Sequence, residues 1–427
     1  MTMEISHYRD ILAHLRSIID GTRFDNHLFA VGGCCRDEIR GTEINDVDLA
    51  VNLPDGGIEF ARWLFENGYT TAKPTEFPRY GTAMLRLEAF PDDEIEIVQT
   101  RKGKYSADDG HENPSSAVFG TVSDDAMRRD LTINTLYCDI TTGQTLDITG
   151  KALDDIKNHI LRTPVDPEHT FDDDAVRVLR CIRLSSKLGW KIDESTFKAI
   201  AKYAKSLKSV KVERIRAEFE KMLCGPRPDD ALSMLRLSSV AEHVLHGISL
   251  TYRMHIGDEK SDTLWRRMLT ALRFLAAGNS PLADDPHVRW AVVLYCVCRA
   301  RCKRKTDRMK QCSDLFVSDQ RKAAALAHDA GEILLRLHEH SQMRHSVAFL
   351  VRNASATLQW GDRAQKARDR QLAGLCRLCG DERRLMRLLA VIDALNHTGP
   401  AGKQRPEQID AVRTRMSAKK LCPVTAS

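Results

Sequence analysis

The feature that most constrains this chain is a change of hydrophobic period partway along it. Over residues 27–101 apolar and polar residues alternate, in runs at His27–Val31, Asp46–Val51, Thr82–Leu87 and Glu94–Gln99 separated by Gly, Pro and Asp turns. A short helical stretch lies between the first two runs, and Gly57–Asn67 has the pattern of an amphipathic helix. From Asp172 onward Leu, Ile, Val and Ala recur at three- and four-residue spacings, which is the period of helices. The pattern predicts an α+β protein with a head of about 150 residues followed by an all-helical remainder. The expected division is 1–150 for the head, 151–225 for a helical neck, 226–398 for a helical body and tail, and 399–427 for a partly irregular C-terminal tail. Residues 102–122 are polar and hold Gly, Pro and Ser, so a mobile loop is expected there.

Charge is divided along the same line. Residues 1–150 hold 26 acidic and 14 basic side chains, whereas residues 151–427 hold 33 acidic and 50 basic ones. An acidic front suits a site that gathers cations, and a basic rear suits a polyanion such as RNA. No apolar run approaches the roughly 20 residues of a membrane helix. Glu4, Asp10 and Asp20 interrupt the apolar positions at the N-terminus, which predicts an amphipathic helix instead of a signal peptide, and a cytoplasmic protein. The twelve cysteines are scattered. The tightest groups are Cys296, Cys298 and Cys302, then Cys376-x-x-Cys379, which lacks a partner pair at zinc-ribbon spacing, so buried thiols are expected, with no zinc and no disulfide.

The most specific segment is Val31-Gly-Gly-Cys-Cys-Arg-Asp37 followed by Asn45-Asp-Val-Asp-Leu49. Period two puts Asp46 and Asp48 on one strand face and turns Val47 and Leu49 to the core. Two carboxylates so close resist ionisation unless a cation sits between them. Mg²⁺ takes oxygen ligands and keeps waters or phosphate oxygens, so the pair suits a two-metal site for phosphoryl or nucleotidyl transfer. In Asp93-Glu-Ile-Glu-Ile97, either Glu94 or Glu96 could be a third carboxylate on a shared face. Gly32 and Gly33, ahead of a helical start, would admit a triphosphate to backbone N–H groups, with Arg36 adding charge.

Together these motifs resemble the class II CCA-adding enzyme and bacterial poly(A) polymerase family, within the DNA polymerase β-like nucleotidyltransferases. Further matches arrive in the family's order: Arg79-Tyr-Gly-Thr82, Arg128-Arg-Asp-Leu-Thr-Ile-Asn134, Leu146-Asp-Ile-Thr-Gly150 with Asp154–Ile156, Asp173-Asp-Ala-Val-Arg-Val-Leu-Arg-Cys-Ile-Arg183, and Val212-Glu-Arg214 with Glu218 and Glu220–Leu223. The resemblance covers about residues 27–240. It implies a nucleotidyltransferase head with a mixed sheet and an all-helical neck, body and tail. It implies addition of C, C and A to the 3′ end of tRNA from CTP and ATP, with Mg²⁺ held by Asp46 and Asp48. Poly(A) synthesis and partial CC or A addition are the alternatives, because their catalytic motifs are shared. It selects Glu96 as the third catalytic carboxylate beside Asp46 and Asp48. It assigns base selection to Asp174 and Arg177 and nucleotide or phosphate contacts to Arg180 and Arg183; the nucleotide site is expected to include Gly33, Arg36 and Arg129 as well, with Asp130 and Asn134 in a structural or sugar-orienting role.

Base choice also has a chemical reading. Cytosine and adenine present an amino donor beside a ring-nitrogen acceptor, and uracil and guanine reverse that order. An Asp174 acceptor paired with an Arg177 donor would admit CTP and ATP and oppose UTP and GTP. Steps of three place Asp174, Arg177, Arg180 and Arg183 along a slowly turning helix surface. The chain departs from the family at Asp173, where Glu is usual, and at His111-Glu-Asn-Pro114, where many relatives carry Arg before Pro. The stretch Arg299–Lys305 is a candidate RNA-backbone contact.

Overall fold

The computed structural model describes residues 2–103, 118–256, 261–279, 284–303, 319–355 and 374–396, with positions 282, 311–312, 315 and 317. The chain forms two compact units, one of Met1–Cys181 with Trp190–Tyr203, the other of Ile182–Gly189 with Ala204–Ser427.

The first unit opens with helix α1 (Ile5–Ile19), which buries Tyr8, Ile11, Leu15 and Ile19 along one stripe. Strand β1 (Leu28–Val31) runs into α2 (Gly33–Ile39). Then come β2 (Val47–Val51), α3 (Gly56–Glu66), β3 (Thr75–Phe77), β4 (Thr82–Leu87) and β5 (Phe90–Gln99). After α4 (Val122–Met127), β6 (Leu136–Asp139) and β7 (Thr145–Asp147) complete a seven-stranded sheet of order β3-β4-β5-β2-β1-β6-β7. All its ladders are antiparallel except β2 with β5, which makes the sheet mixed. β3, β6 and β7 went unforeseen, since three or four residues are too few to show an alternation.

Alternation decides what each sheet face meets. Val47, Leu49, Ile95 and Ile97 are buried, and helix α3 packs across β2, β4 and β5. The approach is close: a Cβ on Gly57 of α3 would lie 2.5 Å from the carbonyl oxygen of Gly81 and 2.8 Å from the amide nitrogen of Gln99, so only glycine fits. On the opposite face Phe29, Val31, Ala50, Ala126 and Tyr137 form a core cluster with Val98 and Val122, which brings α4 onto the sheet. Thr121 and Asp124 cap α4 reciprocally. Residues 121–122 therefore belong to a helix start and not to the loop expected over 102–122. The positions 104–117, including His111–Pro114, lie outside the described residues, as do 399–408 and Arg304–Lys305.

The boundary expected at residue 150 falls inside the first unit. Helices α5 (Ala152–Asn158), α6 (Pro167–Asp173) and α8 (Glu194–Tyr203) belong there, with α6 packed on α8 and Ile160–Leu161 paired with Lys191–Ile192. Helix α7 (Val176–Leu188) begins in the first unit and ends in the second.

The described part of the second unit is almost entirely helical. One helix, Pro286–Lys303, has every residue from Val288 to Cys298 buried, apolar on all sides but for Arg289. Cys296, Cys298, Cys376 and Cys379 are all buried, as small apolar side chains would be. Among the described residues no helix is long and apolar enough to cross a membrane.

Candidate active site

The parallel register of β2 and β5 sets Asp48 directly opposite Glu96, and β4 adds Met84 on the same row. Asp46 stands just ahead of β2, fully outside the core, while Asp48 is half-buried between buried Val47 and Leu49. Glu94 and Glu96 are both exposed, but only Glu96 is paired in register, with Asp48. Burial pushes the Asp48 carboxyl up to about 6, Glu96 and Asp46 push it the same way, and Arg129 and Arg180 pull against them. Partial desolvation of its carboxyl and the Asp46 charge also raise Glu96, although the residue as a whole is exposed. These are negative charges short of a cation, with hard oxygen donors, and that chemistry fits Mg²⁺. Among the described residues no three His, Cys, Asp or Glu side chains close on a metal-sized point. Asp46 and Asp48 would therefore be the two protein ligands of an otherwise open site.

The turn before α2 frames the other side. Gly32 has φ 77°, and a Cβ there would lie 3.1 Å from Arg129 Nη1 and 4.0 Å from Asp48 Oδ2. Arg129 and Asp48 thus face one small space that only glycine leaves open. Gly33 begins α2, where a Cβ would sit 3.6 Å from Arg36 Nη2.

Arg36 does not offer the free charge that the sequence suggested. It is buried, its Nε and Nη2 donate to Asp37 at 2.9 and 2.7 Å, and its Nη1 donates to Asn134 Oδ1 at 2.7 Å. Asn134 Nδ2 donates to Asp130 Oδ1 at 2.9 Å, and Arg180 Nε donates to Asp130 Oδ2 at 2.7 Å. A buried chain of bonds therefore runs from α2 through Asn134 and Asp130 to α7. Burial works against the charge on Asp130, but Arg180, Asn134 and Arg177 outweigh it and hold the carboxyl well below the usual range. Replacing Arg36 by Ala would leave Asp37 buried with Arg40 as its remaining cation and Asn134 without its donor. We expect a loss of about 3–5 kcal/mol, read as a lower urea midpoint.

The residues expected to select the base are arranged differently from that expectation. Asp174 is not on a helix surface. It sits in the break between α6 and α7 with extended backbone, φ −152° and ψ 103°, and its Oδ1 accepts from the Val176 amide at 3.1 Å. The side chain competes with helix geometry by bonding its own backbone, as Asp does at helix starts. Arg177 is buried and donates to the Thr170 carbonyl and to Asp173, both at 3.0 Å, so the family's usual Glu is replaced here by a working ion-pair partner. Arg183 belongs to the second unit, where its Nε donates to Glu218 at 2.6 Å.

Two residues near the site escaped the sequence reading. Asp125 pairs with Arg128 and Arg129 and accepts from Tyr137. The Asp125–Arg129 spacing of four was a usable signal, but nothing local points to Tyr137, which arrives on β6.

The paired strand carboxylates beside a glycine turn and a fixed arginine define a nucleotidyltransferase head. Residues 28–162 match the Poly A polymerase head domain, and residues 189–250 match the probable RNA and SrmB-binding site of polymerase A. A tRNA nucleotidyltransferase of Schizosaccharomyces pombe is 32% identical over 219 residues, which cover 48% of this chain and 42% of that protein. A CCA-adding enzyme of Lactobacillus helveticus is 33% identical over 217 residues, 51% of each chain. The matched part thus spans about half the length of these curated relatives. The Bacillus stearothermophilus CCA-adding enzyme in complex with CTP superposes with a TM-score of 0.63 at 20% identity, over 97% of this chain and 83% of that one. A tRNA nucleotidyltransferase with a primer tRNA and an incoming ATP analog gives 0.60 at 18%, over 96% and 99%. Residues 28–162 thus carry a Poly A polymerase head domain, and over about half its length the chain is similar to CCA-adding enzymes.

Proposed function

We propose that this protein adds C, C and A to the 3′ end of tRNA, using CTP and ATP, by in-line attack of the RNA 3′-hydroxyl on the nucleotide α-phosphate. The observation that carries the reading is Asp48 opposite Glu96, with Asp46 alongside and Arg129 across the Gly32 turn. Asp46 and Asp48 would hold a Mg²⁺ pair, which when bound would supply charge neutralisation at the phosphates and acidify the attacking hydroxyl. Glu96 keeps a second carboxylate beside Asp48. Arg129 offers a cation to the triphosphate, and the glycines let the nucleotide approach backbone at Gly33. Asp174, released from the Val176 amide or sharing its second oxygen, accepts from the amine of cytosine or adenine, while Arg180, anchored by Asp130, adds charge along α7. Relatives named as CCA-adding enzymes, and solved neighbours described with CTP, ATP or primer tRNA, support the same reading. A cytoplasmic site of action is part of the proposal, although two relatives are named as mitochondrial.

The test is incubation with tRNA lacking CCA, or ending in C or CC, with each nucleotide singly, followed by sequencing of product ends. Ordered C, C, A addition is expected. Long A tracts from ATP alone would make the protein a poly(A) polymerase, and addition that stops after CC or needs a CC end would make it a partial enzyme.

The basic residues 151–427 are expected to hold RNA by phosphate charge. Binding of trimmed tRNA should weaken steeply as salt rises from 50 to 200 mM, by ~10³-fold or more if six or so phosphates are contacted. Gel-shift titrations across that range check this, and affinity indifferent to salt would rule it out.

A further inference from the structure

Arg129 faces the carboxylates, yet its orientation is set by two residues with no part in the reaction proposed above. Asp125, buried on α4, accepts from Arg129 Nη2 at 3.0 Å and from its Nε at 3.3 Å. Tyr137, fully buried on β6, accepts from the same Nε at 3.1 Å while its hydroxyl donates to Asp125. Guanidinium, phenol and carboxylate therefore close a triangle. The Tyr137 ring also lies 5.2 Å from the guanidinium carbon, and Arg129 Nη1 donates to the Asn134 carbonyl at 3.3 Å. Of the five N–H groups, these contacts hold Nε and one on each terminal nitrogen. The remaining edge is the one against Gly32. A long side chain that would otherwise sample many rotamers is fixed from three directions.

We propose that Asp125 and Tyr137 are positioning residues that clamp Arg129 in the orientation in which it meets the triphosphate of the incoming nucleotide. The inference rests on the nucleotidyltransferase reading above and assigns a role to two buried residues. The clamp joins α4 to β6, so the arginine is referenced to the sheet that carries Asp48 and not to its own flexible stem. Displacement of a phosphate-facing group by about 1 Å is enough to cost up to ~100-fold in rate.

Tyr137→Phe keeps the ring, its packing and its contact with the guanidinium face, and removes only the shared hydroxyl. The experiment is a cycle: kcat and KM for CTP on trimmed tRNA, at excess enzyme, for Tyr137→Phe in the wild-type and the Arg129→Ala backgrounds, with melting curves for all four proteins. A 5- to 20-fold fall in kcat/KM is expected in the wild-type background, roughly the cost of a slightly displaced cation. In the Arg129→Ala background no further fall is expected, because the clamp has nothing left to hold. Asp125→Asn should show the same dependence on Arg129. Equal losses in both backgrounds would mark the hydroxyl as merely structural and overturn the inference, as would no loss in the wild-type background. A wild-type protein that incorporates no nucleotide would overturn the proposed function and this inference together, whereas additivity in an active enzyme overturns the inference alone.

Discussion

Asp48→Asn is expected to abolish nucleotide incorporation and, at the same time, to raise the melting temperature at pH 8 in the absence of divalent cations. The two effects share one cause. Burial and the neighbouring Glu96 oppose ionisation of the Asp48 carboxyl and push it from the ordinary 3.8 up to about 6. A group raised in this way contributes stability that is fully present below about pH 4 and is lost as pH rises through about 6. A shift of about two units corresponds to ~2–3 kcal/mol, present as a penalty at pH 8 and absent at pH 4. Asn carries no charge, so the variant should melt several degrees above wild type at pH 8 and together with it at pH 4. Mg²⁺ should stabilise wild type and leave the variant unmoved, since a ligand stabilises only a fold that binds it. Incorporation should fall at least tenfold in Asp48→Asn, and equally in Asp46→Ala. Retention of a tenth of the wild-type rate by either would remove these residues from the metal site. A variant that melts lower than wild type at pH 8 would show that the carboxylate is not strained by its neighbours.

The second large effect concerns base choice. Asp174→Ala removes the proposed acceptor for the exocyclic amine of cytosine or adenine, together with the carboxylate proposed to oppose the carbonyl oxygens of UTP and GTP. The ratio of kcat/KM for CTP over UTP should fall by roughly 10- to 100-fold, the size of an unmet buried polar group. The structure adds a complication that the sequence did not show. Asp174 also caps the start of α7 through the Val176 amide, so the Ala variant loses about 1 kcal/mol of helix stability as well. Asp174→Asn separates the two roles. Its amide oxygen can still cap the helix, while its amide donors suit the carbonyl edge of uracil. We expect Asn to melt close to wild type and to lower the CTP/UTP ratio at least as far as Ala. If the ratio is unchanged in both variants, α7 does not choose the base.

What the sequence by itself determined was whatever repeats at short range. The Asp46-x-Asp48 pair, the Gly32-Gly33 turn, the stripe of α1 and the change from strand to helix all follow from periods of two or about 3.6, which every local window carries. The register that sets Glu96 opposite Asp48 joins strands 48 residues apart, and the motif resemblance, not the alternation, chose between Glu94 and Glu96. The sequence also overran its own logic at Asp174. The three-residue spacing predicts one continuous helix, but the side chain of that same residue bonds forward to the Val176 amide and starts a new helix. Arg36 was read as available charge, because no local pattern shows that Asp37 and Asn134 enclose it. The Tyr137 contact with Asp125 and Arg129 was invisible for the same reason. Buried polar groups must find partners wherever the chain's other segments bring them, so tertiary structure alone decided which charges face a ligand and which ones hold the site in place.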